Sequence, residues 1–183
     1  MYSVRKRGIV FRGDGNPEPI VMCDASFKVD PYTGKTQHGI HVLLCGGPIV
    51  VASKKIPHVS LSTSHAELCA MNYAARAAAW LSNIFTELGL PFLERLLLLG
   101  DNTVATLNAP EDIVSEKNKY IQLSYYYIRE REEHLEMHHV RTDKLIPDIH
   151  TKAVPPNTLA KLIGHATGTA EEPFTFLRPK KFA

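Results

Sequence analysis

An acidic residue stands inside a segment that otherwise has the character of a buried strand. Residues 20–27 read Ile-Val-Met-Cys-Asp-Ala-Ser-Phe and are apolar on both alternating faces up to Asp24. Such a pattern is typical of a central strand that is covered on both sides of its sheet. Because an unpaired buried carboxylate costs several kcal/mol, we expect something positively charged to lie beside Asp24.

Glu67 is a second acid in an apolar environment. It shares a helix face with Met71 and Ala75, at i+4 and i+8, so it is expected to lean toward the core. A local alternative exists, because Ser64-x-x-Glu67 also fits a capping box in which the glutamate merely closes the start of the helix. The sequence around Glu67 leaves both interpretations open.

Asp101 follows the apolar run 96–100 and precedes a predicted helix, which places it at the carboxyl edge of a strand. Open α/β sheets bind ligands at this edge. A metal-dependent enzyme is therefore our first hypothesis. The acids on which it rests come from four separate segments: Asp24, Glu67, Asp101 and Asp148.

Composition narrows the class of protein. The chain has 183 residues, of which 44% are hydrophobic and 22% charged, as expected for one domain with a full core. A formal net charge of +2 excludes a strongly basic nucleic-acid coat protein. The three cysteines lie in apolar surroundings and lack a paired metal spacing, so we expect buried free thiols and an intracellular protein, cytoplasmic or nuclear. The apolar run behind Arg5-Lys6-Arg7 is too short for a signal peptide or a spanning helix, so no membrane partner is expected.

The order of periodic segments predicts an α/β fold with a mixed sheet. Three strands form an antiparallel meander, a long helix follows, and two further strands alternate with helices. The predicted strands are 20–27, 39–45, 48–53, 96–99 and 135–140, and the predicted helices are 64–88, 103–108, 119–132 and 144–152.

The residue composition at the two ends of the chain, which is rich in turn-forming residues, divides the chain into three parts. Residues 1–18 are predicted to be a lead-in linker, residues 19–163 the folded domain, and residues 164–183 a C-terminal tail.

The order of the four acids, on a first strand, a first helix, a fourth strand and a last helix, resembles that of ribonuclease H. Several local strings are similar to the RNase H domain of copia-type LTR retrotransposon polyproteins, and the similarity extends over about residues 19 to 163. The strings are 53–62 with Ala66-Glu67 and Trp80-Leu81, Gly100-Asp101-Asn102, Ile128-Arg129-Glu130 with Tyr125, and Thr142-Asp143-Lys144 through Asp148-Ile149-x-Thr151-Lys152.

This resemblance implies a ribonuclease H-like fold, with a five-stranded mixed sheet of three antiparallel and two parallel strands flanked by helices. It also implies an endonuclease that hydrolyses the RNA strand of RNA–DNA hybrids with two Mg²⁺ ions, for which Mn²⁺ can substitute. The four acids would be both catalytic and metal-ligating, since Mg²⁺ prefers hard oxygen ligands. The expected partners are the hybrid and a reverse transcriptase domain of the same polyprotein.

Four residues are predicted to contact the nucleic acid. Lys54, Lys55 and Lys152 would track phosphates, and Asn102 would reach a 2′-hydroxyl, the group that distinguishes RNA from DNA.

Departures from the family pattern keep a second hypothesis open. Ser26 stands where the family usually has another acid, Gly100 where it has a cysteine, and His150 where it has a phenylalanine. Tyr120, Gln122 and Tyr126 replace the histidines and acid of the family's helix before the fifth strand. The alternative is a domesticated, catalytically silent domain that serves as a structural or RNA-binding part of a ribonucleoprotein complex. An integrase-like or resolvase-like nuclease, a third class, lacks the matching strings.

Histidines offer two further interpretations. For His134, His138 and His139, a solvated or hydrogen-bonded cluster is favoured over a zinc site. His150 follows Asp148 by two residues and is more readily a surface residue than a proton donor to the leaving oxygen.

Because clustered carboxylates repel one another, we also predict a raised pKa for at least one acid, and a more stable metal-free protein after Asp148→Asn.

Overall fold

The computed structural model describes residues 8–13, 18–27, 30–60, 62–90, 96–101, 126–131, 135–172 and 174. The strands are β1 (Ile20–Ser26), β2 (Gln37–Leu44), β3 (Gly47–Lys55), β4 (Leu96–Gly100) and β5 (Leu135–His139). The labelled helices are α1 (Thr63–Glu87), α2 (Asp148–Thr151) and α3 (Pro156–Thr167), and residues 126–130 are also helical.

The five strands form one mixed sheet in the order β3-β2-β1-β4-β5. The β3–β2 and β2–β1 pairs are antiparallel, whereas β1–β4 and β4–β5 are parallel. This topology confirms the predicted sheet of three antiparallel and two parallel strands. In the β1–β4 pair, Met22 lies opposite Leu99, so both strands direct their carboxyl ends toward one edge of the sheet.

Both faces of the central strands are covered. Val21 and Cys23 of β1 belong to the core that contains α1, while Met22 packs on the other side with Leu97 and Leu99 of β4. This alternation confirms that β1 is buried on both sides. Since Asp24 is two residues from Met22, its side chain projects to the same face of the sheet as Met22.

The cap of α1 decides between the two interpretations of Glu67. The side chain of Ser62 accepts a hydrogen bond from the backbone N–H of His65 at 3.1 Å, so the helix begins at Thr63. Ser64 is thus inside the helix and Glu67 is beyond its first turn. The capping-box interpretation is wrong, because the position three residues after the cap is occupied by His65.

The last predicted helix is interrupted. The sequence pattern predicted one helix over 144–152, but the chain forms a 3-10 turn at Thr142–Lys144, passes through an extended Leu145 and then enters α2. Pro147 accounts for the break, because proline lacks a backbone N–H and disfavours the helical conformation in the residue before it. The predicted helix 103–108 and most of 119–132 lie outside the described residues.

An N-terminal segment packs beside the end of α3. The backbone N–H of Val10 donates to the carbonyl of Thr167 at 2.9 Å, and that of Arg12 donates to the carbonyl of Cys45 at 2.8 Å. The Arg12 guanidinium also donates to the carbonyl of Ala170. These bonds join part of the predicted linker to the predicted tail and to the turn after β2. Helix α3 ends at Thr167, beyond the predicted end of the domain at residue 163. The three-part division of the chain stays a prediction.

Among the helices in the described ranges, none combines the length and apolar character needed to cross a membrane.

Candidate active site

Two adjacent parallel strands bring Asp24 and Asp101 to the same edge of the sheet. Asp24 is the fifth residue of β1 and is 1% exposed, and Asp101 directly follows β4. Met22 lies opposite Leu99 in this pair. Asp24 and Asp101 each follow these residues by two positions, so the two acids lie side by side. Glu67 reaches them from α1. One carboxylate oxygen from each of the three acids lies within 4.8 Å of the others.

Burial and mutual repulsion favour the protonated forms of Asp24 and Glu67 when no cation is bound. Burial raises the pKa of Asp24 to about 7, with the charges of Asp148 and Asp101 adding to the effect and the hydrogen bond from Thr151 opposing it. Burial also raises the pKa of Glu67 to about 8, and the charges of Asp101 and Asp24 add to it. The predicted raised pKa is therefore confirmed at two of the acids.

Asp148 lies beside the three-acid group but has a partner of its own. It is the first residue of α2, is 4% exposed and contributes to the raised pKa of Asp24. Its Oδ1 is 2.8 Å from Nζ of Lys152, four residues later. Burial alone would lower the pKa of Lys152, but the contact with Asp148 and the nearby charges of Asp24 and Asp101 raise it above its usual value. The positive charge expected near Asp24 is thus supplied here by an ammonium group.

Thr151 is a member of the site to which the sequence assigned no role. Its hydroxyl donates a hydrogen bond to Oδ2 of Asp24, which links α2 to the central strand. The only signal in the sequence was its place in the string that resembles the family's closing motif.

Gly39 is the second residue that sequence reasoning missed. It lies opposite Asp24 in the β1–β2 pair. A Cβ at this position would be 2.9 Å from both the carbonyl oxygen of Pro147 and Cβ of His150, and 3.0 Å from Cγ2 of Thr151. The absence of a side chain at Gly39 therefore permits the close approach of α2 to β2.

The predicted nucleic-acid contacts have different environments. Lys54 and Lys55 are exposed at the end of β3, and Nζ of Lys55 lies 2.7 Å from Oδ2 of Asp30. Lys152 is directed to Asp148, as described above, and Asn102 lies outside the described residues.

The histidines have identifiable partners. Nε2 of His150 is 3.0 Å from Nδ1 of His41 on β2, and the two rings stack with their centroids 5.3 Å apart. Burial lowers the pKa of His41 to about 4 and lowers that of His150, which favours neutral rings near pH 7. Nε2 of His138 contacts Oε1 of Glu136 at 2.8 Å, as expected for a hydrogen-bonded histidine.

The donor set of the acid cluster fits a hard divalent cation. Three carboxylates from β1, the end of β4 and α1 converge, and a fourth lies beside them. Oxygen donors of this kind are the ligands that Mg²⁺ and Mn²⁺ prefer. The cluster can therefore hold a metal ion, which would remove the electrostatic cost of bringing the acids together.

The strand order, together with the helix that packs behind β1 and β4, defines the ribonuclease H fold. The structure of LC11-RNase H1, isolated from compost, superimposes with a TM-score of 0.54 at 13% identity, over 81% of this chain and 99% of that one. No protein-family model matches the sequence.

The sequence relatives are retrovirus-related Pol polyproteins of plant transposons. The chain is 29% identical to the polyprotein from transposon TNT 1-94 of Nicotiana tabacum over 147 residues, which are 78% of this chain and 11% of that relative. It is 28% identical to the polyprotein from transposon RE2 of Arabidopsis thaliana over 131 residues, 70% of this chain and 9% of the relative. The chain thus spans about a tenth of the length of these relatives. The resemblance to retrotransposon polyproteins that was inferred from the sequence strings is confirmed.

Proposed function

We propose that this chain is a metal-dependent endonuclease that hydrolyses the RNA strand of RNA–DNA hybrids, as the RNase H domain of a copia-type retroelement polyprotein. The observation that carries the proposal is the convergence of Asp24, Glu67 and Asp101 at the carboxyl edge of two parallel strands. The ribonuclease H fold and the Pol polyprotein relatives support it.

The proposed metal ligands are Asp24, Glu67, Asp101 and Asp148. When bound, two Mg²⁺ or Mn²⁺ ions supply charge neutralisation at the scissile phosphate and lower the pKa of an attacking water. Asp24 and Glu67 must release their protons to act as ligands, since their pKa values near 7 and 8 leave them largely protonated in slightly acidic solution. Thr151 holds one oxygen of Asp24 and thereby fixes the orientation of its carboxylate. A covalent nucleophile on the protein is not needed.

Exposed lysines are the proposed contacts to the substrate backbone. Lys54 and Lys55 present ammonium groups at the end of β3, where they can bind phosphates of a duplex. Lys152, which is paired with Asp148, is the third proposed phosphate contact. A reverse transcriptase domain of the same polyprotein is the proposed protein partner, because the relatives are Pol polyproteins.

Single-turnover cleavage of an end-labelled RNA–DNA hybrid, in Mg²⁺ and separately in Mn²⁺, tests the proposal. We expect cleavage of the RNA strand only, with no cleavage of RNA–RNA or DNA–DNA duplexes of the same sequence. Asp24→Asn supplies the negative control. Equal cleavage by wild type and Asp24→Asn would show that the activity comes from a contaminant and would contradict the site.

The alternative is a catalytically silent domain with a structural or RNA-binding role. The observation that favours it is the Lys152–Asp148 ion pair, because an ammonium group beside the acids compensates part of their charge without a metal. The alternative predicts no cleavage of the hybrid in either ion by a correctly folded chain. It also predicts that the melting temperature is insensitive to Mg²⁺ and Mn²⁺.

A further inference from the structure

A second group of potential metal ligands lies near the start of α1. His58, His65 and Cys69 each offer one ligand atom, and these three atoms lie within 4.8 Å of one another. His65 and Cys69 are four residues apart on α1, so their side chains lie on one face of the helix. His58 comes from the segment between β3 and α1.

The group is distinct from the acid cluster. Glu67 is two residues from both His65 and Cys69, and two residues correspond to about 200° around a helix. The histidine–cysteine group and the acids therefore occupy opposite sides of α1. The nitrogen and sulfur donors are also chemically different from the carboxylates, because they favour borderline and soft metals over Mg²⁺.

The distances fit a tetrahedral metal. Sγ of Cys69 is 3.6 Å from Nε2 of His58. In a tetrahedral zinc site, with Zn–S of about 2.3 Å and Zn–N of about 2.0–2.1 Å, the sulfur and nitrogen ligands are about 3.6 Å apart. The observed separation is that of a thiol–imidazole hydrogen bond, and it also matches the distance between sulfur and nitrogen ligands of one zinc ion.

Burial distinguishes this group from an accidental surface cluster. His65 is 3% exposed and Cys69 is 5% exposed, whereas His58 is exposed. The rings of His58 and His65 lie nearly parallel, at 24°, with their centroids 5.5 Å apart. Two donors are thus buried on α1, and the third is exposed to solvent.

We propose that His58, His65 and Cys69 form a zinc-binding site that fastens the segment 56–60 to α1. Three protein ligands leave the fourth tetrahedral position for a water molecule on the exposed side. On binding, the Cys69 thiol becomes a thiolate and releases one proton to solvent, since metals bind the deprotonated sulfur. The site would stabilise the start of the helix that carries Glu67.

Cobalt titration of the purified, untagged, reduced full-length chain tests this proposal independently of nuclease activity. Co²⁺ takes tetrahedral sites like those of Zn²⁺, and its bond to a thiolate gives a charge-transfer absorption that carboxylate ligands do not produce. We expect this absorption to rise to a plateau as Co²⁺ is added and to disappear when Zn²⁺ is added.

Matched variants assign the ligands. Cys69→Ser is expected to abolish the thiolate absorption, and Cys45→Ser to retain it. Since His58 is exposed, we expect His58→Gln to keep the fold and to weaken Co²⁺ binding at the thiolate by more than about 100-fold, beyond the loss typical of an outer-shell partner. His139→Gln, another exposed histidine, is expected to give the same thiolate absorption as the wild type, at the same Co²⁺ concentrations.

The proposal is overturned if the wild type shows no thiolate absorption, if Cys69→Ser retains it, or if His58→Gln binds Co²⁺ with unchanged affinity. A failure of hybrid cleavage leaves this test unaffected, because its readout is spectroscopic.

Discussion

The hydroxyl of Thr151 donates a hydrogen bond to Oδ2 of Asp24, so a residue near the end of α2 contacts the acid at the centre of the sheet. This bond lowers the pKa of Asp24 against the larger effect of burial. Thr151 is therefore a positioning residue, which acts on the site through Asp24.

Thr151→Val removes the hydroxyl while it keeps the branched shape. We expect the pKa of Asp24 to rise further, so that the acidic limb of the pH–rate profile for hybrid cleavage shifts to higher pH by up to about one unit. Thr151→Ser retains the donor and is expected to retain the wild-type profile. An unshifted limb in Thr151→Val would show that the bond does not tune Asp24.

Asp24→Asn and Asp101→Asn each remove one negative charge with little change of shape. We expect each to reduce the single-turnover rate of hybrid cleavage at least about 100-fold, because the loss falls on charge stabilisation in the transition state. The far-UV circular dichroism should remain that of the wild type. Asp143→Asn changes an exposed acid that is paired with Arg141 and should cleave normally. Near-normal rates in both site variants would refute the assignment.

The stability of the metal-free protein should depend on pH through Asp24 and Glu67. Their folded pKa values of about 7 and 8 exceed the values near 4 expected in the unfolded chain, so the folded state binds more protons between these limits. The free energy of unfolding is therefore expected to fall as pH rises from about 4 to about 8. Urea denaturation across this range measures the slope.

Glu67→Gln should flatten this pH dependence, because the glutamine cannot ionise. Mg²⁺ should restore wild-type stability at the upper end of the range and do less for the variant. A wild-type stability that does not change with pH would contradict the clustering of the acids.

The ion pair with Lys152 reverses our sequence-based prediction for Asp148. Asp148→Asn is now expected to lower the free energy of unfolding, since it leaves the ammonium group of Lys152 without its partner.

Gly39→Ala tests the close approach of α2 to β2. The added Cβ would meet the carbonyl oxygen of Pro147 and Cβ of His150 at 2.9 Å, so we expect a loss of about 1–3 kcal/mol in the free energy of unfolding. Displacement of α2 should also slow hybrid cleavage. Gly13→Ala is the matched control, because a Cβ there meets nothing within 4 Å. Equal stability of the two variants would argue against the close packing.

Lys54→Ala and Lys55→Ala test the phosphate contacts. Each is expected to weaken hybrid binding at low salt and to reduce the slope of log K against log salt by about 1. Lys161→Ala, an exposed lysine of α3 outside the predicted set, should leave the slope unchanged. Fluorescence anisotropy with an uncleavable hybrid in Ca²⁺ gives the slopes. Slopes identical to wild type in both variants would remove these lysines from the interface.

The sequence predicted those parts of the site that leave a local signal. An acid inside an apolar strand is conspicuous in residues 20–27, and an acid after an apolar run is equally so at Asp101. The mixed sheet followed from the order of periodic segments, and the break before α2 could have been anticipated from Pro147, which the periodicity argument passed over.

Other parts depend on contacts between distant segments. Gly39 matters because α2 packs on it, and Thr151 matters because its hydroxyl reaches β1, more than 100 residues earlier in the chain. The spacing of His65 and Cys69 is visible on α1, but the approach of His58 to them is a property of the folded chain. Such pairings have no periodic pattern that a single sequence could reveal.

The hydrogen bonds of Val10 and Arg12 fix the end of the sheet against which the segment 8–13 packs. Both bonds form near the turn after β2, at the end of the sheet where Leu43 pairs with Ile20. Gly39 and Asp24 pair toward the opposite end of the same two strands. These bonds therefore hold Val10 and Arg12 at the end of the sheet that lies away from the acids. A protein that bound to Val10 and Arg12 would thus leave the acidic edge open for the hybrid that we propose as the substrate.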